Sequence, residues 1–275
     1  MDLISYCKAH GILIDHVPPI GQWKRYHTED HPNKRNGAVK FMGTHAFVQN
    51  HATDSEVSVW RSDDSVKIDH KRIARMAQEA DRDRLEKQKE AQDKANRMIK
   101  ESVYAFHPYL KSKGFPEETG NVWVKDKQKI LLIPMRVDNV VVGCQMISED
   151  GDKKFLFGQR TSDATFVFNN GGDPYLCEGY ATALSLRYAL RGLKKKYTIH
   201  VCFSAGNLLK VAQKTGGMVI ADNDESGTGE RIAKQTGLPY WISDRVGEDA
   251  NDFHQRVGLF KFTQSLTKSI MVGRK

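Results

Sequence analysis

The chain has no uninterrupted apolar stretch approaching the ~20 residues that cross a bilayer, so a membrane span is not expected. Its opening residues, Met1-Asp2-Leu3-Ile4-Ser5, lack a charged segment leading into a long apolar run, which argues against a secretory leader. Cysteine is scarce: Cys7, Cys144, Cys177 and Cys202 are widely spaced, and three of them fall in apolar strand-like contexts. Buried free thiols in a reducing cytoplasm fit that pattern better than disulfides. No C-x-x-C occurs. No G-x-x-x-x-G-K-[ST] occurs either, so there is no P-loop. Between residue 66 and about residue 103 there is neither proline nor glycine, which leaves nothing to interrupt a helix.

The 275 residues allow one large domain or two to three small ones. A hydrophobic content of 39% supports a real core, and 28% charged residues with a mean hydropathy of -0.56 describe a hydrated surface. The net charge of +8 and a pI near 9.2 favour nucleic acid or nucleotides as partners. Four parts are expected. Residues 1–65 mix short helix and strand signals and hold six of the ten histidines: His10, His16, His27, His31, His45 and His51. Residues 66–103 predict one long, mostly solvated helix that acts as a linker. Residues 104–170 read as a small, mainly antiparallel sheet, with strands over 129–136, 140–148 and 154–157. Residues 171–275 alternate: strand 174–177, helix 180–191, strand 199–204, helix 207–214, strand 218–222, helix 228–236, strand 239–242. That alternation predicts a parallel sheet flanked by helices, and hence an α/β fold.

The chemistry concentrates at strand ends. Met218-Val219-Ile220-Ala221 is an apolar run that stops in Asp222-Asn223-Asp224-Glu225-Ser226-Gly227, a D-x-D-x-x-G. Residues two apart on a strand point the same way, so Asp222 and Asp224 would repel unless a cation lay between them. Earlier, Tyr175-Leu176-Cys177-Glu178-Gly179 repeats the design, with an acid at a strand tip and then glycine. Glu178, Asp222 and Asp224 are therefore expected as a hard-oxygen site for Mg²⁺ or Mn²⁺ at the carboxyl ends of neighbouring strands. The bland reading of Asp222–Gly227 is a polar turn that caps the following helix. Ser204-Ala205-Gly206-Asn207 lies at another strand end, where the N–H groups of a helix start, with Asn207, would meet phosphate; an ordinary β–α turn explains it equally.

Glu178-Gly179 followed by a helix, and then the D-x-D-x-x-G, resembles the Toprim domain shared by primases, topoisomerases and certain nucleases. The wording E-G-Y-A-T-A-L-S-L and D-A-N-D-F is most similar to Toprim primases of phages and conjugative plasmids. His107-Pro108-Tyr109-Leu110-Lys111-Ser112-Lys113-Gly114-Phe115 resembles their H-P-Y-L-x-x-K-G element. Ile133-Pro134-Met135-Arg136, Gly143-Cys144-Gln145 and Asp152-Lys153-Lys154-Phe155-Leu156 resemble the basic strands that follow it, except that Gln145 stands where bacterial primases carry arginine. The resemblance covers residues 104–260 well and the first 65 poorly.

The resemblance implies a primase: metal-assisted joining of ribonucleoside triphosphates into short RNA primers on single-stranded DNA, in the cytoplasm of a bacterial host. It implies metal contacts from Asp249 and Asp252 beside Glu178, Asp222 and Asp224. It also implies nucleotide or template contacts from Arg136, Lys153, Lys154, Lys111 and Lys113. With no P-loop the chain is not fused to a helicase, and a separate replicative helicase is the expected partner. Trp23, Lys24, Arg25, Trp60 and Arg61 are candidate template contacts in the first part; a hydrophobic mini-core explains their aromatics as well. Cys7, His10, His27 and His31 have passable zinc-ligand spacing, but the helix expected around Cys7 and the lack of C-x-x-C disfavour zinc. The alternatives are a Toprim-type nuclease and a catalytically inactive nucleic-acid-binding accessory of replication.

Overall fold

The computed structural model describes residues 1–54, 56–62 and 70–272. The chain forms two compact units, Met1–Glu86 and Lys87–Lys275. The expected helix start over 66–69 lies outside the described residues.

The first unit begins with helix α1 (Leu3–Ala9), capped by the Asp2 carboxylate, which accepts from Ser5 N–H at 2.8 Å. Strands β1 (Trp23–Tyr26), β2 (Gly37–Phe41), β3 (His45–Asn50) and β4 (Ser58–Arg61) follow as an antiparallel sheet in sequence order. Period-2 alternation splits its residues. Val39, Ala46 and Val48 face inward onto Leu3, Cys7, Ile12 and Ile14, with Phe41 and Trp60 at the margin. The opposite side carries Trp23, Arg25, Lys40, His45, Phe47, Val59 and Arg61, which the register sets side by side. Helix α2 (His70–Glu101) approaches this unit at Gly21, where an added Cβ would meet the Ala80 methyl at 3.4 Å.

In the second unit the later part of α2 is no solvated linker. Ala91, Ala95 and Met98 recur at helical spacing and are buried against Leu132, Cys144 and Leu156. The expectation of a mostly exposed helix weighed its charges and overlooked this narrow small-residue stripe. Strands β5 (Val103–Phe106), β6 (Thr119–Lys125), β7 (Gln128–Val137), β8 (Val140–Ile147) and β9 (Lys153–Phe155) form an antiparallel sheet, with helix α3 (Pro108–Ser112) inserted after β5. One face of that sheet meets α2. The other, with Leu131, Ile133 and Ile147, joins Tyr109, Leu110 and Phe115 in the main core.

The third sheet contains β10 (Phe166–Asn169), β11 (Asp173–Cys177), β12 (Tyr197–Val201), β13 (Met218–Ala221) and β14 (Tyr240–Ile242) in the order β10-β12-β11-β13-β14. Strands β11 to β14 are parallel, and β10 adds an antiparallel edge against β12 that the sequence pattern did not reveal. The connecting helices are α4 (Tyr180–Gly192), α5 (Ala205–Thr215) and α6 (Thr228–Thr236), followed by α7 (Ala250–Val257) and α8 (Leu259–Val272). Both faces of this sheet are covered. Tyr175, Cys177, Ile199, Met218, Ile220 and Trp241 pack with α4, α7 and α8, while Leu176, Val219 and Ala221 pack with α5 and α6. The four cysteines are buried free thiols. The fold of this unit is mixed α/β, and among the described residues no helix is long and apolar enough to cross a membrane.

Candidate active site at the ends of the parallel strands

From β11 the chain moves outward to β12, then returns across β11 to β13 and on to β14. The order therefore reverses between β11 and β13, and the crevice beyond the carboxyl ends of two such strands is the usual ligand position in an open α/β sheet. Cys177 and Ile220 are register partners. Glu178 leaves β11 one residue later and Asp222 leaves β13 two residues later, so both acids emerge at that reversal.

Glu178 is enclosed by the turn after β12. Its carbonyl accepts from Phe203 N–H at 3.0 Å, and its carboxylate accepts from the N–H of Ala205, the first residue of α5. Burial, with help from the Asp224 charge, pushes its pKa up to about 6 despite that hydrogen bond. Asp222 is more extreme. Burial first, then the charges of Glu178 and Asp249, push it up to about 8, with Lys153 pulling the other way. Its Oδ1 is buried with no hydrogen-bond partner. A buried carboxylate oxygen without a donor is costly, which makes this atom the most unusual polar group at the site. Its backbone is fixed by a close approach: a Cβ added at Gly229 in α6 would lie 2.0 Å from the Asp222 carbonyl oxygen.

Asp224, two residues further, has a different fate. Its Oδ2 accepts from Gly229 N–H at 2.7 Å, and its Oδ1 accepts from Ser226 N–H at 3.0 Å, Thr228 N–H at 3.3 Å and the Ser226 hydroxyl. Burial raises its pKa, but these bonds outweigh burial and hold the carboxyl below its ordinary value. The polar-turn reading thus describes Asp224, while Asp222 lies free of it. Asp249 and Asp252 form the capping box of α7: Asp249 accepts from Asn251 and Asp252 N–H at 2.7 and 2.9 Å, and Asp252 accepts in return at 3.4 Å. The loop before α7 folds over the end of β13 through the Asn223–Glu248 bridge, which brings the Asp249 charge near Asp222. Asp252 is turned to Lys113 at 3.5 Å, so neither of that pair reads as a free ligand.

Among the described residues, no three His, Cys, Asp or Glu side chains gather as a ready-made ligand set. The donors that remain, Glu178 and Asp222, fit the hard cation that binds through one or two carboxylates and otherwise through water and substrate phosphate. The orphaned Oδ1 and the mutual repulsion of the acids are what such an ion would relieve.

The basic residues sort by strand parity. Lys153 pairs in register with Ile147 and Phe155 with Gln145, so all four share the side that Ile147 presents to the main core. Lys153 is accordingly the lysine whose charge reaches Asp222. Lys154 pairs with Met146 and lines a separate cavity with Lys94, Met98 and Met146, on the α2 side. Arg136, beyond a register irregularity after Met135, pairs with Val141, which packs against the α2 cluster. Lys111 is exposed at the end of α3. Asn207 is corrected from phosphate contact to fastener: it is buried, accepts from Asp163 N–H at 2.7 Å, and donates to the Ala164 and Cys202 carbonyls at 2.8 and 2.9 Å.

Phe203 is a residue of this site that the sequence does not mark. It sits at φ +67°, left-handed backbone that costs a bulky residue about 1–3 kcal/mol. Its ring meets that of Phe155, from the basic strands, edge-on at 6.3 Å. Only the conformation marks Phe203, since the sequence pattern places it inside a strand over 199–204, whereas β12 ends at Val201.

In the first unit, Trp60 donates to the Met1 carbonyl at 2.8 Å and borders the core, and Lys24 has its parity with Tyr26, on the covered side. Trp23, Arg25 and Arg61 stay on the other side with His45 and Phe47; the Trp23–Phe47 and His45–Phe47 ring centroids are 6.4 and 5.4 Å apart. Cys7 is buried in the core with its thiol pushed up to about 12 by burial, and the His10 ring faces Asp54 at 3.4 Å while that of His31 faces Asp30 at 3.0 Å. Neither histidine joins Cys7, and no site through His27 is formed among the described residues.

No protein-family model matches the chain, and no curated protein matches it. Among solved structures, the chain is similar to part of a bacteriophage T7 lagging-strand DNA polymerase complex that includes primase domains of two gp4 subunits bound to an RNA/DNA hybrid and dTTP. The TM-score is 0.44 at 14% identity, covering 62% of this chain and 92% of that one. A likeness at that level carries no assignment by itself.

Proposed function

We propose that the unit Lys87–Lys275 is a nucleotidyl-transfer module of the Toprim primase type, which joins ribonucleoside triphosphates into short RNA primers on single-stranded DNA. The observation that carries the reading is the pair Glu178 and Asp222 at the reversal of strand order, with Asp222 Oδ1 buried and unpartnered and Lys153 within electrostatic reach. Glu178 and Asp222 are the residues that would hold Mg²⁺ or Mn²⁺, and Asp224 stiffens the turn between them and α6. A divalent ion bound there would neutralise triphosphate charge and favour attack of a 3′-hydroxyl on an α-phosphate. Burial favours the protonated form of Asp222, so holding such an ion would require it to give up that proton. Lys153 draws the phosphates toward the acids.

Template engagement is assigned to the uncovered sheet side of the first unit, through Trp23, Arg25 and Arg61 together with Lys40, His45 and Phe47. Stacking aromatics between cations suit a single strand. A replicative helicase acting as a separate chain is the expected partner.

The test is primer synthesis from labelled ribonucleotides on single-stranded DNA with Mg²⁺ or Mn²⁺, with Asp222→Asn as the control. Short RNA products that vanish in the variant support the reading. Loss of the DNA or RNA itself would replace the primase with a nuclease, and binding without chemistry would replace it with an accessory protein.

A further inference from the structure

We propose that Phe155 and Phe203 form a seat for the base of a nucleotide whose phosphates meet Lys153 and the acids. The proposal rests on the reading of the acid site given above and adds a second recognition element to it. Lys153 and Phe155 lie on the same side of β9, two residues apart, so a ligand that reaches one passes the other. Phe203 comes from the opposite sheet, in the turn whose N–H groups hold Glu178. The two rings therefore meet beside the pair formed by Lys153 and the acids, one from each sheet of the unit.

Packing alone does not account for them. Phe155 keeps 43% of its surface in solvent while touching Phe203, and Phe157, two residues on, is 86% exposed. Phe203 packs partly against the main core, yet holds left-handed backbone that glycine or asparagine would adopt with less strain. Strain kept next to buried carboxylates points to a use for the ring that fixes its position. Exposed aromatic surface beside a phosphate-attracting lysine is suited to a heteroaromatic base, which stacks whatever its identity. The seat therefore favours nucleotides over bare polyphosphate and discriminates weakly among bases.

Calorimetric titration of the full chain in Mg²⁺ with ATP, and separately with inorganic tripolyphosphate, tests this. The native protein should bind ATP more tightly than tripolyphosphate. Phe155→Ala and Phe203→Leu should each weaken ATP binding roughly 5- to 100-fold, the range of one lost base stack, and leave tripolyphosphate unchanged. Phe155→Tyr, which retains a ring, should restore ATP binding. Equal affinity of the native protein for both ligands, or variants that weaken both alike or neither, overturns the seat while the acid site stands. Failure of the native protein to bind either ligand removes the acid-site reading and the seat with it.

Discussion

The parallel sheet of the second unit and the antiparallel sheet of the first solve opposite problems. Strands β11 and β13 are covered on both faces, so their side chains are nearly all apolar and only the strand ends can carry chemistry. The β1–β4 sheet is covered on one face, so every second residue is free to carry charge or an exposed ring. Under the proposed function, burial on two sides would concentrate the chemistry into a few carboxylates with perturbed protonation, and burial on one side would spread binding over a surface of interchangeable contacts. Single substitutions should therefore be severe at the first and graded at the second.

The largest effect belongs to Asp222. If Asp222 holds the ion as proposed, Asp222→Asn should lower primer synthesis by about 10²- to 10³-fold, the scale of losing one preorganised electrostatic group. Activity within tenfold of native would erase the distinction between strand end and sheet face. Asp224→Ala should cost chiefly a helix cap, about 0.5–2 kcal/mol by thermal or denaturant unfolding, with a smaller kinetic loss than at Asp222.

Stability against pH sharpens the same point. The Asp222 carboxyl is raised from 3.8 to about 8 and that of Glu178 from 4.5 to about 6. The folded state holds these protons more tightly than the unfolded chain, so stability is greatest at low pH within this window and is lost as pH rises. The buried histidines His200 and His254, whose pKa burial lowers, work the other way, so the carboxyl contribution is read as a difference between proteins. In EDTA the melting temperature of the native protein relative to Asp222→Asn should fall between about pH 4 and pH 8, and millimolar Mg²⁺ should raise stability at pH 8 in the native protein alone. A difference that rises across this interval would contradict the assigned burial.

At the open sheet, Trp23→Ala should weaken single-stranded DNA binding by roughly 1–3 kcal/mol, and Arg25→Gln or Arg61→Gln should each flatten the logarithmic salt dependence by about 0.7. Trp60→Ala, on the covered side, should lower stability instead. If Trp60→Ala and Trp23→Ala weakened DNA binding equally without unfolding, the two sides of the sheet would not differ as described.

Much of this could be read from the chain because the strongest signals are local. Apolar runs ending in an acid and glycine located β11 and β13, and α6 over 228–236 followed from the alternation of strand and helix patterns. What stayed hidden depends on register. Whether Lys153 or Lys154 faces the acids is decided by which residue opposes Ile147, a long-range pairing that motif similarity does not reveal. The division of labour between Asp222 and Asp224 depends on where the first N–H groups of α6 point. Edge strand β10 was missed because its neighbour, β12, comes later in the chain.

One position links these observations without any reactive group of its own. Residue 229 must be hydrogen-sized on its inner side, because the carbonyl of Asp222 occupies the place a methyl would need. The start of α6 is thereby seated directly on the acid's backbone, and the same glycine's amide tethers Asp224. A single extra carbon there would act as a wedge, prising the helix off the strand tip and shifting both carboxylates together. The placing of both carboxylates at this edge thus hinges on an atom that is missing.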